Sequence, residues 1–180
     1  EMCIRDRAIE DCEPDLSILQ EAIRRKAAFS LIKLSPMLDI RTALRTLAHV
    51  AEVHAVSVQG ECKELLLVMT RQKTEKTACH CVNLGTEDPT FTFTLTEEEE
   101  AACTYSDTPG RFLYEPNASV MKCGGFRSLA TRYGLRKLHP NSHLYTSDHS
   151  CKDFPRRTFA IEDCCGFGKK ELKGLLNGLG

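Results

Sequence analysis

Apolar residues recur along the chain with two periods, and the switches between them lay out its elements. Leu16, Leu19, Ile23 and Ala27 follow the three-to-four spacing of one helical face, and Pro14 suits a first turn, so a helix is predicted over 14–26. Phe29 to Leu34 is a short, nearly continuous apolar run of the kind found in buried parallel strands, and Ser35-Pro36 stops it. Asp39 stands where a helix cap would, ahead of the amphipathic set Ile40, Ala43, Leu44 and Leu47. The runs 49–58 and 62–70 are rich in β-formers and are separated by Gln59-Gly60-Glu61, whose glycine is available for the positive φ of a tight hairpin. This first third reads as a parallel strand followed by a terminal antiparallel pair.

Beyond a polar connector at 71–76, two further antiparallel strands are predicted over 77–84 and 90–95, joined by Gly85 to Pro89. Phe91, Phe93 and Leu95 alternate with threonines, so one face is buried and the other polar. Thr96-Glu97-Glu98-Glu99 fits a capping box, and the acidic run reads as a solvated helix start, not a metal site. Phe112 to Tyr114 is a short strand ended by Pro116, with Asn117 placed to cap a helix from Ala118. Gly124-Gly125 breaks that helix, and Phe126, Leu129, Ala130 and Tyr133 form another that ends at Gly134. Residues 135–138 lead out with Arg136 and Lys137 exposed, His139 to Ser142 has turn chemistry, and 143–146 reads as a strand. A strand over 157–163 and a helix over 169–176 complete the pattern.

Composition changes this picture little. With 42% hydrophobic and 27% charged residues in 180, the chain has room for one ordinary domain or two small ones. No run of about 18 apolar residues is present, so no membrane span is read. The first residues lack the basic start and apolar core of a signal peptide, which points to a cytoplasmic protein. Ten cysteines scattered among strands and helices read as reduced thiols rather than a disulfide framework. Cys79-His80-Cys81 and Cys164-Cys165 lack the paired spacing that closes a zinc site, and Cys79 and Cys81 share a strand face where they can pack, so no metal ligands are assigned. A metal-dependent protein using Cys79, His80 and Cys81 is the alternative. Charge is divided along the chain: residues 1–110 hold 12 Lys/Arg against 19 Asp/Glu, and residues 111–157 hold 9 against 3. That basic segment is able to meet a phosphate backbone, unless its charges are merely scattered over the surface.

Glu115-Pro116-Asn117-Ala118-Ser119 and Leu138-His139-Pro140-Asn141-Ser142-His143-Leu144-Tyr145-Thr146-Ser147-Asp148 resemble the bacterial class I SAM-dependent methyltransferases that carry a THUMP-like domain. Lys33 to Ile40, Glu52 to Val58 and Glu61 to Leu65 are similar to the tail of that family's methyltransferase domain, so the resemblance covers roughly 8–175. It implies an α/β chain: the C-terminal part of a Rossmann-like methyltransferase sheet over 8–76, a small ferredoxin-like α+β segment over 77–155, and a partial THUMP-like β-α unit over 156–180. In class I methyltransferases the last strand is inserted antiparallel, in agreement with the predicted hairpin. Residues 1–6 are what GAG-ATG-TGT-ATA-AGA-GAC encodes, the end of a common sequencing adapter, so 1–7 are expected to be non-native and the chain a fragment.

The resemblance puts the Lys33–Asp39 segment near the active-site pocket, with Lys33, Ser35 and Asp39 as pocket candidates. A plain cap is the other reading of Asp39. Glu115 and Asn117 are candidates for facing substrate, although Glu115-Pro116-Asn117 lacks the second proline and the aromatic of the motif that holds a target amino group, and a strand-to-helix corner explains it as well. His139 and His143 have acid–base chemistry near neutral pH, with Asn141 between them, but no nucleophile or carboxylate is spaced to complete a constellation, so turn roles compete. Lys122, Arg127, Arg132, Arg136, Lys137, Arg156 and Arg157 are the candidates for contacting RNA, the substrate class that the THUMP-like resemblance implies. The glycine-rich cofactor loop, the ribose-binding acid and the catalytic motif of a class I methyltransferase are absent. SAM is therefore expected as cofactor of an intact parent, with no cofactor and no activity expected of this chain. A non-catalytic RNA-binding module is the alternative.

Overall fold

The turn at Gln59-Gly60 sets the order of the first sheet. In the computed structural model, which describes residues 9–178, both turn residues have positive φ, 52° and 90°, the pairing that matches strand twist in a two-residue hairpin. The turn joins β2 (Val50–Val58) to β3 (Glu61–Thr70) antiparallel. On its other side β3 pairs antiparallel with β1 (Phe29–Leu34). Thus β1 and β2 run the same way with β3 inserted between them, the arrangement expected of the inserted last strand. The residues expected to be non-native, 1–7, lie outside the described residues.

One expectation about this sheet changes. Within these 180 residues β1 stands at the sheet edge with β3 on one side, and its Phe29 and Leu31 are 74% and 68% exposed. The strands predicted over 77–84 and 90–95, assigned to the ferredoxin-like segment, instead extend the first sheet as β4 (Ala78–Leu84), parallel to β2, and β5 (Phe91–Thr94), antiparallel to β4. Local alternation fixed their faces correctly, with Phe91, Phe93, Cys79 and Cys81 inward, but carried no information about the partner. The order is β1-β3-β2-β4-β5.

The helices cap as local chemistry dictates, with small shifts. α1 (Leu16–Lys26) starts after Pro14, because the Asp15 carboxylate accepts the Ser17 N–H at 2.8 Å and hydroxyl at 2.6 Å. α2 (Ile40–Thr46) is capped by Asp39. The capping box before α3 (Leu95–Glu100) is Thr94 with Glu97, not Thr96 with Glu99, because the helix begins where β5 ends.

The second sheet, β7 (Arg136–Lys137), β8 (Tyr145–Ser147), β6 (Phe112–Pro116) and β9 (Arg156–Ala160) in the order β7-β8-β6-β9, is antiparallel throughout. Between β6 and β7 lie α4 (Ala118–Cys123), capped by Asn117, and α5 (Phe126–Tyr133), closed by Gly134 in the left-handed conformation. The strand predicted over 157–163 is β9, which adds to β6 and ends at Ala160. α6 (Lys169–Gly178) follows with no buried side chain among those described.

Packing ties the sheets together. α4 lies on β2, β3 and β4, bringing Val120 and Cys123 into one core with Val53, Leu65, Leu67, Cys79 and Cys81. At the α4–α5 break the backbone passes so close to Phe93 that a Cβ on Gly125 would fall 2.4 Å from its ring. Gly125 thus has no side chain with which to cap α5. Glu98 does so from α3: its two carboxylate oxygens accept the N–H groups of Arg127 and Ser128, each at 2.8 Å. Glu98 is only 5% exposed, which corrects the expectation of a wholly solvated acidic run.

Replacing Glu98 by Ala leaves the buried Ser128 N–H and the half-buried Arg127 N–H without their acceptor and should lower unfolding free energy by about 2 kcal/mol. Glu99→Ala, one residue on and exposed, should change it by less than about 0.5 kcal/mol. Urea denaturation of both variants measures the contrast.

Candidate functional site

Because β1, β2 and β4 point the same way, their carboxyl ends form one edge of the first sheet, the edge outside which open α/β sheets place ligands. Three connections meet there: the 35–39 loop, the Gln59-Gly60 turn and the 85–89 loop. The 35–39 loop is held by local bonds. Ser35 accepts the Leu38 N–H at its carbonyl (3.1 Å) and the Met37 N–H at its hydroxyl (3.2 Å), and Asp39 accepts the Thr42 N–H at 2.7 Å. That backbone bond, with the Thr42 hydroxyl and then Lys122 and Arg45 nearby, holds the Asp39 carboxyl below the usual carboxylate range against a small desolvation cost.

Lys122 arrives from α4 and donates to the Leu38 carbonyl at 2.6 Å. It thereby brings a predicted RNA contact to the loop that carries Ser35 and Asp39. Lys33 does not join them, since it forms an ion pair with Glu64 at 3.1 Å.

The turn and the 85–89 loop are joined by Asn83. Its Oδ1 accepts the Ser57 hydroxyl (2.9 Å) and the Gly60 N–H (3.1 Å), while its Nδ2 donates to the Thr86 hydroxyl (3.1 Å) and the Asp88 carboxylate (2.5 Å). Every polar site of this buried amide is used. Arg156 of β9 reaches over the same turn, 3.8 Å from Asp88, and a Cβ on Gly60 would meet its guanidinium at 2.7 Å. Gly60 is required by its φ of 90°, whereas the guanidinium above it is the tip of a flexible side chain that can shift aside.

The remaining candidates do not converge on this edge. Asn117 is buried in the corner before α4, accepting the Val120 N–H (3.1 Å) and the Ser119 hydroxyl (2.6 Å), and Glu115 is exposed beside Arg157 at 3.6 Å. His139 and Asn141 form an exposed turn in which the Asn141 N–H reaches His139 Nδ1 at 3.1 Å. His143 stacks on Phe126 with centroids 3.9 Å apart, and burial, with Lys137 nearby, pushes its pKa down. Lys137 is the clear correction. Predicted to be exposed, it is 5% exposed and donates to the Pro140 carbonyl at 2.9 Å, because the short β7 turns Lys137 inward and Arg136 outward to Asp148 at 3.1 Å. Arg132 lies over the Phe91 ring at 4.6 Å, and Arg127 is exposed at the start of α5.

Sequence reasoning missed Ser57, Asn83 and Asp88, although Ser57 and Asn83 fall on the inward phase of β2 and β4, where a polar residue signals a buried bond. It also missed a group on the opposite face: Glu52, His54 and His80. The Cys-His-Cys run cannot close on one ion, since Cys79 and Cys81 point into the core while His80 points away.

Comparison with known proteins agrees with this architecture. Residues 112–155 match the family described as a ferredoxin-like domain, a span that contains β6, α4, α5, β7 and β8. A solved structure from Porphyromonas gingivalis W83, assigned as a methyltransferase, superposes with a TM-score of 0.87 at 43% identity over 95% of this chain. The chain is similar to part of that Porphyromonas protein. Its first sheet is a mixed α/β sheet resembling that of a Rossmann-like methyltransferase, and its second a separate antiparallel ferredoxin-like sheet. It spans 44% of the Porphyromonas protein's length. A search of curated proteins gave no match.

A cofactor site does not follow from these residues. Among the described residues no glycine-rich loop joins a strand to a helix in a βαβ unit, and Gly166 and Gly168 precede α6 well after β9 has ended. At the carboxyl ends of β2 and β4 the space is taken by the Asn83 network and Arg156, and Lys122 is bonded to the loop after β1.

If that edge is structural, Asn83→Leu should cost about 2 kcal/mol in unfolding free energy, since it strands the Gly60 N–H and removes a donor from the Asp88 carboxylate, while the Ser57 hydroxyl keeps the Val82 carbonyl at 3.2 Å. Asp39→Ala should cost about 1 kcal/mol at neutral pH. The Asp39 penalty has a definite pH sign: a carboxyl whose folded pKa is depressed stabilises above its unfolded pKa, near 4, and the gap to Ala should close as pH falls below that. Urea titrations at pH 7 and pH 3 measure both.

Proposed function

We propose that the chain is the sheet-closing part of a SAM-dependent methyltransferase that acts on RNA, with its catalytic and cofactor-binding residues elsewhere in a longer protein. One observation carries this reading: β3 lies antiparallel between the co-directional β1 and β2, the sheet ending expected of a class I methyltransferase. The relationship to the Porphyromonas protein supports it. In this reading β1 to β5 close the methyltransferase sheet, 112–155 form the ferredoxin-like domain extended by β9, and the residues after β9 open a THUMP-like unit. SAM serves the longer protein, and the 180-residue chain alone transfers no methyl group. RNA as substrate rests on analogy with THUMP-type modules and on the basic segment. A cytoplasmic location goes with it, supported by the free thiols of Cys62, Cys79, Cys81, Cys103, Cys123, Cys151, Cys164 and Cys165.

The structure narrows how such a chain would meet RNA. Lys122, Lys137 and Arg156 are spent on internal partners, while Arg127, Arg132 and Arg157 stay exposed. With about three phosphates neutralised, log K should fall against log salt with a slope of about −2 for single-stranded RNA. Fluorescence anisotropy with a labelled RNA between 50 and 200 mM salt, roughly the range over which counterion release is read, supplies the slope. No binding, or a flat response, removes the RNA reading.

The methyltransferase reading is tested on the longer gene product by SAM titration calorimetry and transfer of labelled methyl groups to RNA. Binding and transfer by the longer protein, with neither by the 180-residue chain, is expected. A folded longer protein that binds no SAM overturns it, and salt-sensitive RNA binding without SAM binding leaves a non-catalytic RNA module.

A further inference from the structure

The face of the first sheet turned away from its core carries a cluster of ligating side chains from two neighbouring strands. β2 and β4 are parallel with His54 opposite His80, and Glu52 precedes His54 by one full pleat on the same face. Glu52 Oε2 lies 2.8 Å from His54 Nε2 and 4.0 Å from His80 Nε2. The two imidazoles stack with centroids 4.4 Å apart and planes at 13°. One ligand atom from each residue falls within 4.8 Å of the other two, and all three residues are half-buried.

We propose that Glu52, His54 and His80 bind a divalent first-row metal ion such as zinc, supplying one carboxylate oxygen and two imidazole nitrogens and leaving a position open to solvent. The donor set is one that zinc accepts, and ligands about 2.0–2.1 Å from a tetrahedral ion stand about 3.3 Å from one another. The separations of 2.8 and 4.0 Å straddle that edge; because the rings are stacked nearly parallel, His54 must turn out of the stack about its Cβ–Cγ bond to aim its Nε2 lone pair at an ion that His80 also binds. A hydrogen bond accounts for Glu52 with His54, but 4.0 Å is too long for one from His80 to the same oxygen. A shared cation gives both rings a reason to face one carboxylate.

The surroundings suit this role. Thr92 of β5 places its hydroxyl 3.2 Å from His80 Nδ1, the outer-shell contact that fixes a ligating imidazole's tautomer and leaves Nε2 for the ion. Leu66 and Val68 of β3 pair with His54 and Glu52, so an apolar strand flanks the cluster.

Imidazole proton–nitrogen spectra of the 180-residue chain titrated with zinc chloride test the site directly. At one equivalent, the ring signals of His54 and His80 should shift while those of His49, His139, His143 and His149 stay in place. Cobalt should give visible d–d bands without the near-ultraviolet thiolate band. His54→Ala/His80→Ala should bind at least 100-fold more weakly, and Thr92→Val, which keeps all three ligands, about tenfold more weakly. A thiolate band, unmoved His54 and His80 signals, or equal affinity in the double variant overturns the proposal.

Discussion

The close passage of the α4–α5 break over Phe93 is the constraint on which the rest of the chain depends. It permits only glycine at 125, and that glycine deprives α5 of a local cap just where the helix is buried against α3. The Glu98 carboxylate supplies the cap from the neighbouring helix, so the start of α5 cannot be satisfied until α3, which continues directly from β5, is in place. Formation of the second unit is thus tied to completion of the first sheet. The other connections repeat this logic at different points: Lys122 to the Leu38 carbonyl, Arg132 over Phe91, and Arg156 over the Gly60 turn beside Asp88.

This arrangement changes the meaning of the basic segment. A net positive stretch in sequence suggests a surface for nucleic acid, yet Lys122 and Arg156 are directed inward across the junction between the sheets and Lys137 is buried against the Pro140 carbonyl. The ferredoxin-like domain is thus packed against the first sheet through these contacts, and Arg127 within it and Arg157 just beyond it stay exposed. The same docking fills the carboxyl edge of β2 and β4, where a ligand would otherwise approach. The opposite face remains the accessible one, with Phe29 and Leu31 exposed at its β1 end and the histidine pair nearer β4.

Features governed by neighbours in sequence were legible in advance. The positive-φ turn at Gln59-Gly60, the caps Asp39 and Asn117, and the left-handed Gly134 each follow from a few adjacent residues. Features set by a distant partner were not. Nothing local to 78–84 says that it will pair with 50–58, and nothing in Glu97-Glu98-Glu99 distinguishes the middle glutamate until α5 packs beside it. Lys137 was misread for a similar reason, since the side of a two-residue strand that faces inward is decided by β8 and Phe126. Of the candidate site, the sequence disclosed the 35–39 loop but not the Asn83 network, whose inward polar positions were present in the alternation and were passed over.

Native-state hydrogen exchange measures the coupling between the two sheets most directly. If the Glu98, Lys122 and Arg156 contacts make them one cooperative unit, the central amides of β2, β3, β6 and β8 will share one opening free energy and lose protection together as denaturant rises. Exchange of the β6 and β8 amides through a lower-energy opening that leaves β2 and β3 protected would contradict it.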